Sequence, residues 1–408
     1  MLLKNQESLL NSEKFIISLL FFFSVLVRLP AINIFGDTGL EYEWKPLVNN
    51  LIEHKQLAWK NFDDFLLPNL WMPPLYAYYL YVFTFLNLDQ PSYIMLILLS
   101  QTLMASISVI IFYKINKMFF SKKISFFSFI FFSLFPLYIY AATQISSISL
   151  QVFLTILFFY YFFLVVNKQS FKAVFIFGLI SGLLILLRGE FYGVLFLSLC
   201  YLFFIKIKIK NILIIALVSI MTASPYLVRN IIIFEKITVL KSFGYNIWKG
   251  NHPYALENSL IVGAEMRDKN LQKEVNAIPI DNNYRFKFDK IFRDRAIENI
   301  KKDPWSHLQL VVRKGISFLL IDFNSPDPNY YNPFHYFPIL IVGLTSLIGI
   351  VLSDKKSACL NYLILILLIY VAIFSIVSIL PRYKLIILPI QLIFTNVLIQ
   401  SIIKKYIR

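Results

Sequence analysis

Residues 28–74, RLPAINIFGDTGLEYEWKPLVNNLIEHKQLAWKNFDDFLLPNLWMPP, interrupt a chain that is otherwise soluble in lipid, and the side of the membrane they occupy decides how the rest is threaded. Six carboxylates, Asp37, Glu41, Glu43, Glu53, Asp63 and Asp64, follow directly on the first apolar run. Loops carried on a rigid scaffold are where functional groups concentrate. Acids displayed this early by a membrane protein make the stretch a candidate active-site loop.

The surrounding composition sets the class. Of 408 residues, 58% are hydrophobic and 41 are Phe, and the mean hydropathy of +0.68 lies outside the range of a soluble globular domain. An all-α polytopic membrane protein is expected, one integral membrane domain over 1–408. The formal net charge of +16 does not imply nucleic acid, because the basic residues sit in short clusters beside apolar runs. There they orient helices relative to the inner leaflet. Cys200 and Cys359, the two cysteines, both fall inside apolar runs, which argues against a disulfide framework or a thiolate metal site. Lys4 and Lys14 precede the apolar run Phe15 to Val27, and no small-residue cleavage site follows it. That run reads as a retained first transmembrane helix, not a signal peptide.

A hydrocarbon core of about 30 Å needs roughly 20 apolar residues as helix. Runs that meet or approach this are centred on 15–29, 92–113, 124–142, 148–166, 171–187, 190–205, 211–233, 336–352, 358–379 and 384–403. With the ambiguous runs Leu75 to Leu88 and Leu308 to Ile321, the expectation is a bundle of about 10–12 transmembrane helices. Charge decides the ambiguous pair. The lysine clusters Lys114/Lys117/Lys122/Lys123, Lys168/Lys172, Lys206/Lys208/Lys210, Lys355/Lys356 and Lys404/Lys405/Arg408 all fall on the cytoplasmic side only if both ambiguous runs lie in the interface. The tyrosine-rich LYAYYLYVF suits that position. Both termini are then cytoplasmic, and residues 28–91 and 234–335 form two extracytoplasmic loops. Long loops translocate despite their own basic residues. Within them Glu41 to Glu53 reads as a short amphipathic helix, Asp289 to Lys302 is helical in pattern and ends before Pro304, and Pro73–Pro74 can open another helix.

This threading brings distant polar residues to one face: Asp37 and Glu41, Arg188 and Glu190, Arg229 and Asn230, Lys249 to Asn251, and Arg382. Acids beside arginines at the mouth of a helical bundle suit a site where a carboxylate takes a proton and cations hold an anion. A lipid-linked phosphate is the natural anion at that depth. Other readings stand beside this one. Arg188 and Arg229 equally suit snorkelling anchors, Glu190 a simple partner for Arg188, Asp37 a turn cap after Gly36, and Asp63–Asp64 a solvated pair. His54, His252, His307 and His335 lack zinc-ligand spacing.

The order of motifs resembles the GT-C membrane glycosyltransferases of the family-39 kind, which include protein O-mannosyltransferases and lipid A aminoarabinose transferases. The matching pieces are GDTGLEY and MPPLY in the first loop, LLRGEF at 186–191, SPYLVRNIIIFEKI and GYNIWKGNHP between 224 and 253, AIENIKKDPW at 296–305, and PRYKLIILP near the end. The resemblance implies transfer of a sugar from a polyprenyl-phosphate carrier to a lipid, glycan or protein hydroxyl on the outer face, with inversion. Its first-loop acid, the acceptor's base, corresponds to Asp37. The acid–Tyr pair that follows, Glu41–Tyr42, stands one residue farther along than usual, so Glu41 is held in reserve, and LLRGEF lacks the proline that commonly follows its arginine. Charge developing on the departing phosphate calls for cations, which assigns Arg229 and Arg382 to it, with Arg188 and Lys249 in support. Tyr245, Asn246 and Trp248 are candidates for sugar binding or closure of the second loop. A divalent metal is possible in relatives, and no acidic cage for one is evident here. Isoleucine, lysine, asparagine and phenylalanine are abundant, as in AT-rich genomes, which points to a bacterial inner membrane. The competing classes are a transporter or flippase of lipid-linked sugars, which favours midplane polar groups and internal repeats, and an oligosaccharide polymerase or ligase, expected to carry a larger late outer loop.

Overall fold

A computed structural model describes residues 2–40, 43–62, 65–255, 268–323, 325 and 331–406. Glu41, Tyr42, Asp63 and Asp64 lie outside the described residues. In chain order the helices are α1 (Leu2–Phe35), α2 (Lys45–Glu53), α3 (Pro74–Val82), α4 (Gln90–Asn116), α5 (Lys122–Leu134), α6 (Pro136–Thr143), α7 (Ile148–Lys168), α8 (Phe171–Leu187), α9 (Phe191–Phe204) and α10 (Ile209–Phe234). They continue with α11 (Phe243–Asn251), α12 (Lys269–Asn276), α13 (Tyr284–Lys302), α14 (Pro304–Leu319), α15 (Pro333–Leu352), α16 (Ala358–Ile376) and α17 (Leu388–Tyr406). The protein is an all-α polytopic membrane protein, and every apolar run in the sequence is helical.

Among the described residues six helices are long and apolar enough to cross a membrane, and the pair α5–α6, bent by 47°, adds a seventh if it acts as one span. The bend falls at Phe135–Pro136, because proline disfavours helical backbone at the residue before it. Shorter apolar helices α8 and α9 turn at Arg188–Glu190. Of the two ambiguous runs, Leu75 to Leu88 is only the nine-residue α3 followed by a 3-10 turn. At 1.5 Å per residue such a helix is roughly 14 Å long, half of what a crossing requires. Proline opens α3, α14 and α15 in their first turns, where a missing N–H costs nothing.

Helix packing explains several of the small residues. A Cβ on Gly182 would stand 2.5 Å from the Thr222 Cβ and 2.6 Å from the Ser219 carbonyl oxygen, so only glycine lets α8 and α10 approach this closely. Small residues substitute in a bilayer for the hydrophobic drive that lipid does not supply. Outward, α9 and α10 expose Phe196, Phe203, Leu213, Leu217 and Ile232, an apolar surface that belongs against lipid. Arg28, wholly buried in α1, turns back to bond the Ser24 carbonyl and hydroxyl at 2.9 and 2.7 Å.

Both long loops gather at one end of the bundle. In the first, α2 begins at Lys45, four residues later than its amphipathic pattern starts, and buries Leu47, Val48 and Leu51. Behind it Ala58–Phe62 (β1) and Phe65–Pro68 (β2) pair as an antiparallel hairpin, which periodicity did not indicate. In the second, α13 starts at Tyr284, five residues earlier than expected. Arg285 on α13 stitches the loops together, with its guanidinium 4.7 Å from the Trp71 ring and 5.6 Å from Trp59. The Lys241 N–H donates to the Leu70 carbonyl at 2.7 Å. At the other end lie the lysine-rich turns, where Glu13 pairs with Lys117.

Candidate active site

Where the two loops meet the bundle they enclose a cavity of about 570 Å³. Its walls come from the turn before α2 (Glu43, Trp44), the segment Trp71–Pro73, the start of α7 (Ser146–Ile148), the α8–α9 turn (Arg188–Glu190), α11 and the chain leaving α16. Two carboxylates, Glu43 and Glu190, and three cations, Arg188, Lys249 and Arg382, line it among the described residues. Trp71, Tyr245, Phe374 and Tyr383 contribute aromatic surface to it.

Each cation is held by a different part of the fold. Arg188 follows the last turn of α8 in extended backbone, and its Nε donates to the Gln151 Oε1 at 2.6 Å. Its guanidinium also lies 5.7 Å from the ring centre of Tyr383, and that of Arg382 lies 6.0 Å from the same ring. One tyrosine thus spaces two arginines. Lys249 rides on α11, whose start is capped by Asp289: the buried carboxylate accepts the Gly244 N–H at 2.7 Å and stands 3.3 Å from Lys241. Of the other predicted α11 residues, Tyr245 and Asn246 line the cavity. Trp248 packs instead on Phe292, 5.0 Å between ring centres, in a small core with Leu271 and Ala296 that fixes the helix.

Lys314, on α14, locks α11 to α16. Its Nζ donates to the carbonyls of Gly250, Val377 and Ile376 at 3.0, 3.1 and 3.3 Å. Asn251 adds a bond from its Nδ2 to the Ile376 carbonyl at 2.8 Å. These contacts hold the helix that carries Lys249 against the segment that leads to Arg382, and both cations line the one cavity. Burial pushes the Lys314 ammonium down to about 7.

Asp37 and Arg229 stand behind the lining. The Asp37 Oδ2 accepts the Ile145 N–H at 2.6 Å, one residue before the cavity wall begins at Ser146. Arg229 donates to the carbonyls of Leu57 and Asn69 at 2.8 and 3.2 Å and to the Asn230 Oδ1 at 2.7 Å. The Asn69 side chain in turn accepts the N–H groups of Trp71 and Met72 at 3.1 and 3.0 Å. Arg229 therefore supports the cavity wall through Asn69. Glu41 lies outside the described residues. Glu43, Gln151, Asp289, Lys314 and Tyr383 were not among the sequence candidates, although Glu43 was visible as one of the first-loop acids. Among the described residues no three of His, Cys, Asp and Glu come together to hold a metal ion.

Residues 72–228 match the family model described as dolichyl-phosphate-mannose-protein mannosyltransferase. The match agrees with the resemblance carried by the order of motifs and points to a membrane glycosyltransferase of the GT-C type. It spans the walls from Met72 to Arg188 and Glu190, and it leaves Glu43 before it and Lys249 and Arg382 after it. No curated protein matches the chain.

Proposed function

We propose that this protein transfers a sugar from a polyprenyl-phosphate carrier to an acceptor hydroxyl at the outer face of a bacterial inner membrane, with inversion at the anomeric carbon. The observation that carries the reading is the cavity at one end of an apolar bundle, lined by three cations, two carboxylates and several aromatic rings. A sugar phosphate brings its own leaving group, so the enzyme needs no covalent nucleophile. What the reaction demands is cationic stabilisation of the departing phosphate and a base for the acceptor. Arg382, Arg188 and Lys249 suit the phosphate, with the carrier's hydrocarbon chain in the adjoining lipid, and a carboxylate suits the base. Tyr245, Asn246 and Tyr383 suit the sugar, and the acceptor is a lipid, glycan or protein hydroxyl.

Mass spectrometry of glycolipids and glycoproteins from cells with and without the gene tests this reading. A sugar lost from one acceptor, with its carrier-linked form accumulating, is the expected result. Intact carrier-linked sugar stranded on the inner leaflet would instead favour a flippase.

A further inference from the structure

The first-loop acids do not share one environment. Asp37 is clasped from both sides: its Oδ2 accepts the Ile145 N–H at 2.6 Å, and its own N–H donates to the Thr143 carbonyl at 3.1 Å. Beside it the Gln144 Nε2 donates to the Phe35 carbonyl at 2.7 Å. Together these bonds pin the end of α1 to the turn between α6 and α7, whose next residues, Ser146 and Ser147, form cavity wall. The Asp37 side chain is not part of the lining. Glu43 is half-buried and does line the cavity, and among the described residues it has neither a hydrogen-bonded nor an ion-paired partner.

A general base must present an unoccupied lone pair to the proton it removes, within reach of the reacting atoms. Glu43 meets that demand. The oxygen that Asp37 uses in a short charge-assisted bond to backbone is committed to holding structure. Glu190, the other lining carboxylate, sits two residues from Arg188 in the turn between α8 and α9, on the wall that carries a cation assigned to the donor phosphate, where a carboxylate is less suited to approach the acceptor.

We infer that Glu43 is the catalytic residue that takes the acceptor's proton, and that Asp37 is a positioning residue holding Thr143–Ser147 in the cavity wall. The inference rests on the glycosyl-transfer reading. In the step, the acceptor O–H bond breaks and its proton passes to a Glu43 carboxylate oxygen. The acceptor oxygen bonds to the anomeric carbon from the face opposite the phosphate. The anomeric C–O bond breaks, and its electron pair leaves with the carrier phosphate, held by Arg382, Arg188 and Lys249.

The test uses the sugar-bearing product that disappears on gene deletion, measured in deletion cells carrying the full chain and then as initial rates in their membranes across pH. Protein amount and thermal midpoint in detergent are recorded for each variant. Glu43→Gln is expected to lower the rate by roughly a hundredfold or more and to remove the acidic limb of the pH profile. Asp37→Leu is expected to lose about tenfold or more, and Asp37→Asn to recover most of it with the acidic limb intact, because the asparagine Oδ1 still accepts the Ile145 N–H. Near-normal rates in Glu43→Gln overturn the assignment, as does an Asp37→Asn variant that folds but is as inactive as Glu43→Gln. An acidic limb removed by Glu190→Gln instead transfers the role to Glu190 and overturns it too. If the wild-type gene restores no sugar-bearing product, the glycosyl-transfer reading itself fails, which is a different result from an active wild type with an active Glu43→Gln.

Discussion

Gly250 and Val377 meet backbone to backbone: a Cβ on Gly250 would stand 2.6 Å from the Val377 carbonyl carbon. This contact brings the helix bearing Lys249 against the segment that leads to Arg382. Gly250→Ala is expected to push α11 off the end of α16, since overpacking of this kind costs about 1–3 kcal/mol. The thermal midpoint in detergent should fall, and transfer should fall by more than the loss of folded protein accounts for. An active, equally stable Gly250→Ala variant would show that the spacing of the two cations is not set here.

Arg382 and Arg188 share the Tyr383 ring between them. If both face the donor phosphate, removing either guanidinium should raise the donor KM and lower kcat/KM by on the order of a hundredfold, because the lost charge acts where negative charge develops. Acceptor KM should change little. Steady-state rates at varied donor and fixed acceptor read this directly, and a pure acceptor effect would reassign the arginines. Gln151→Leu, which removes the acceptor of the 2.6 Å bond from Arg188, should reproduce a weaker form of the same defect.

Arg229 predicts a contrasting pattern. With its guanidinium spread over the carbonyls of Leu57 and Asn69, Arg229→Ala leaves acceptors without donors at a cost of about 1–3 kcal/mol. Loss of stability and of kcat with an unchanged donor KM is the expected outcome. Arg229→Lys should rescue little, since an ammonium cannot fork across two carbonyls as a guanidinium does. A donor KM that rises as in Arg382→Ala would return Arg229 to the phosphate.

The buried Lys314 amine gives stability a defined dependence on pH. Its proton is held less tightly in the folded chain, at about 7, than in the unfolded one. Between that value and the ordinary range of lysine the unfolded chain carries more protons, so stability rises with pH there and is lowest below pH 7. The thermal midpoint of the wild type should climb between pH 6 and 9 relative to Lys314→Met, which lacks the group, by on the order of 2 kcal/mol in stability. Parallel curves for the two proteins would mean that the ammonium is not destabilised by its burial.

Sidedness is open to labelling. With Cys200 and Cys359 changed to serine, single cysteines at the exposed positions Gln56 and Asn282 should react with an impermeant reagent in whole cells. One at exposed Lys356 should react only after the membrane is permeabilised. Reaction of Gln56 and Asn282 on opposite sides would break the two-loop topology.

Local hydropathy and period were sufficient for the apolar helices and the two polar loops, because each depends only on residues a few positions apart, whereas the interfacial reading of Leu75 to Leu88 came from the sidedness of lysine clusters along the whole chain. The lining cations Arg188 and Arg382 were legible for a similar reason, since each sits where an apolar run breaks, while Lys249 was marked by its motif inside the second loop. The division of labour among the acids was not legible. Asp37 is withdrawn from the cavity lining by a bond to a residue 108 positions away, and Arg229 is drawn to Leu57 across 172. Which partner a charged group finds over such separations is decided by helix packing, through contacts such as Gly182 on Ser219 and Gly250 on Val377, and no local pattern encodes it. The sequence by itself determined that this chain is a helical membrane protein with acids and cations at its loop junctions. Tertiary structure alone decided that Glu43 opens onto the cavity while Asp37 holds its wall, because a side chain's reach is set by which backbones touch.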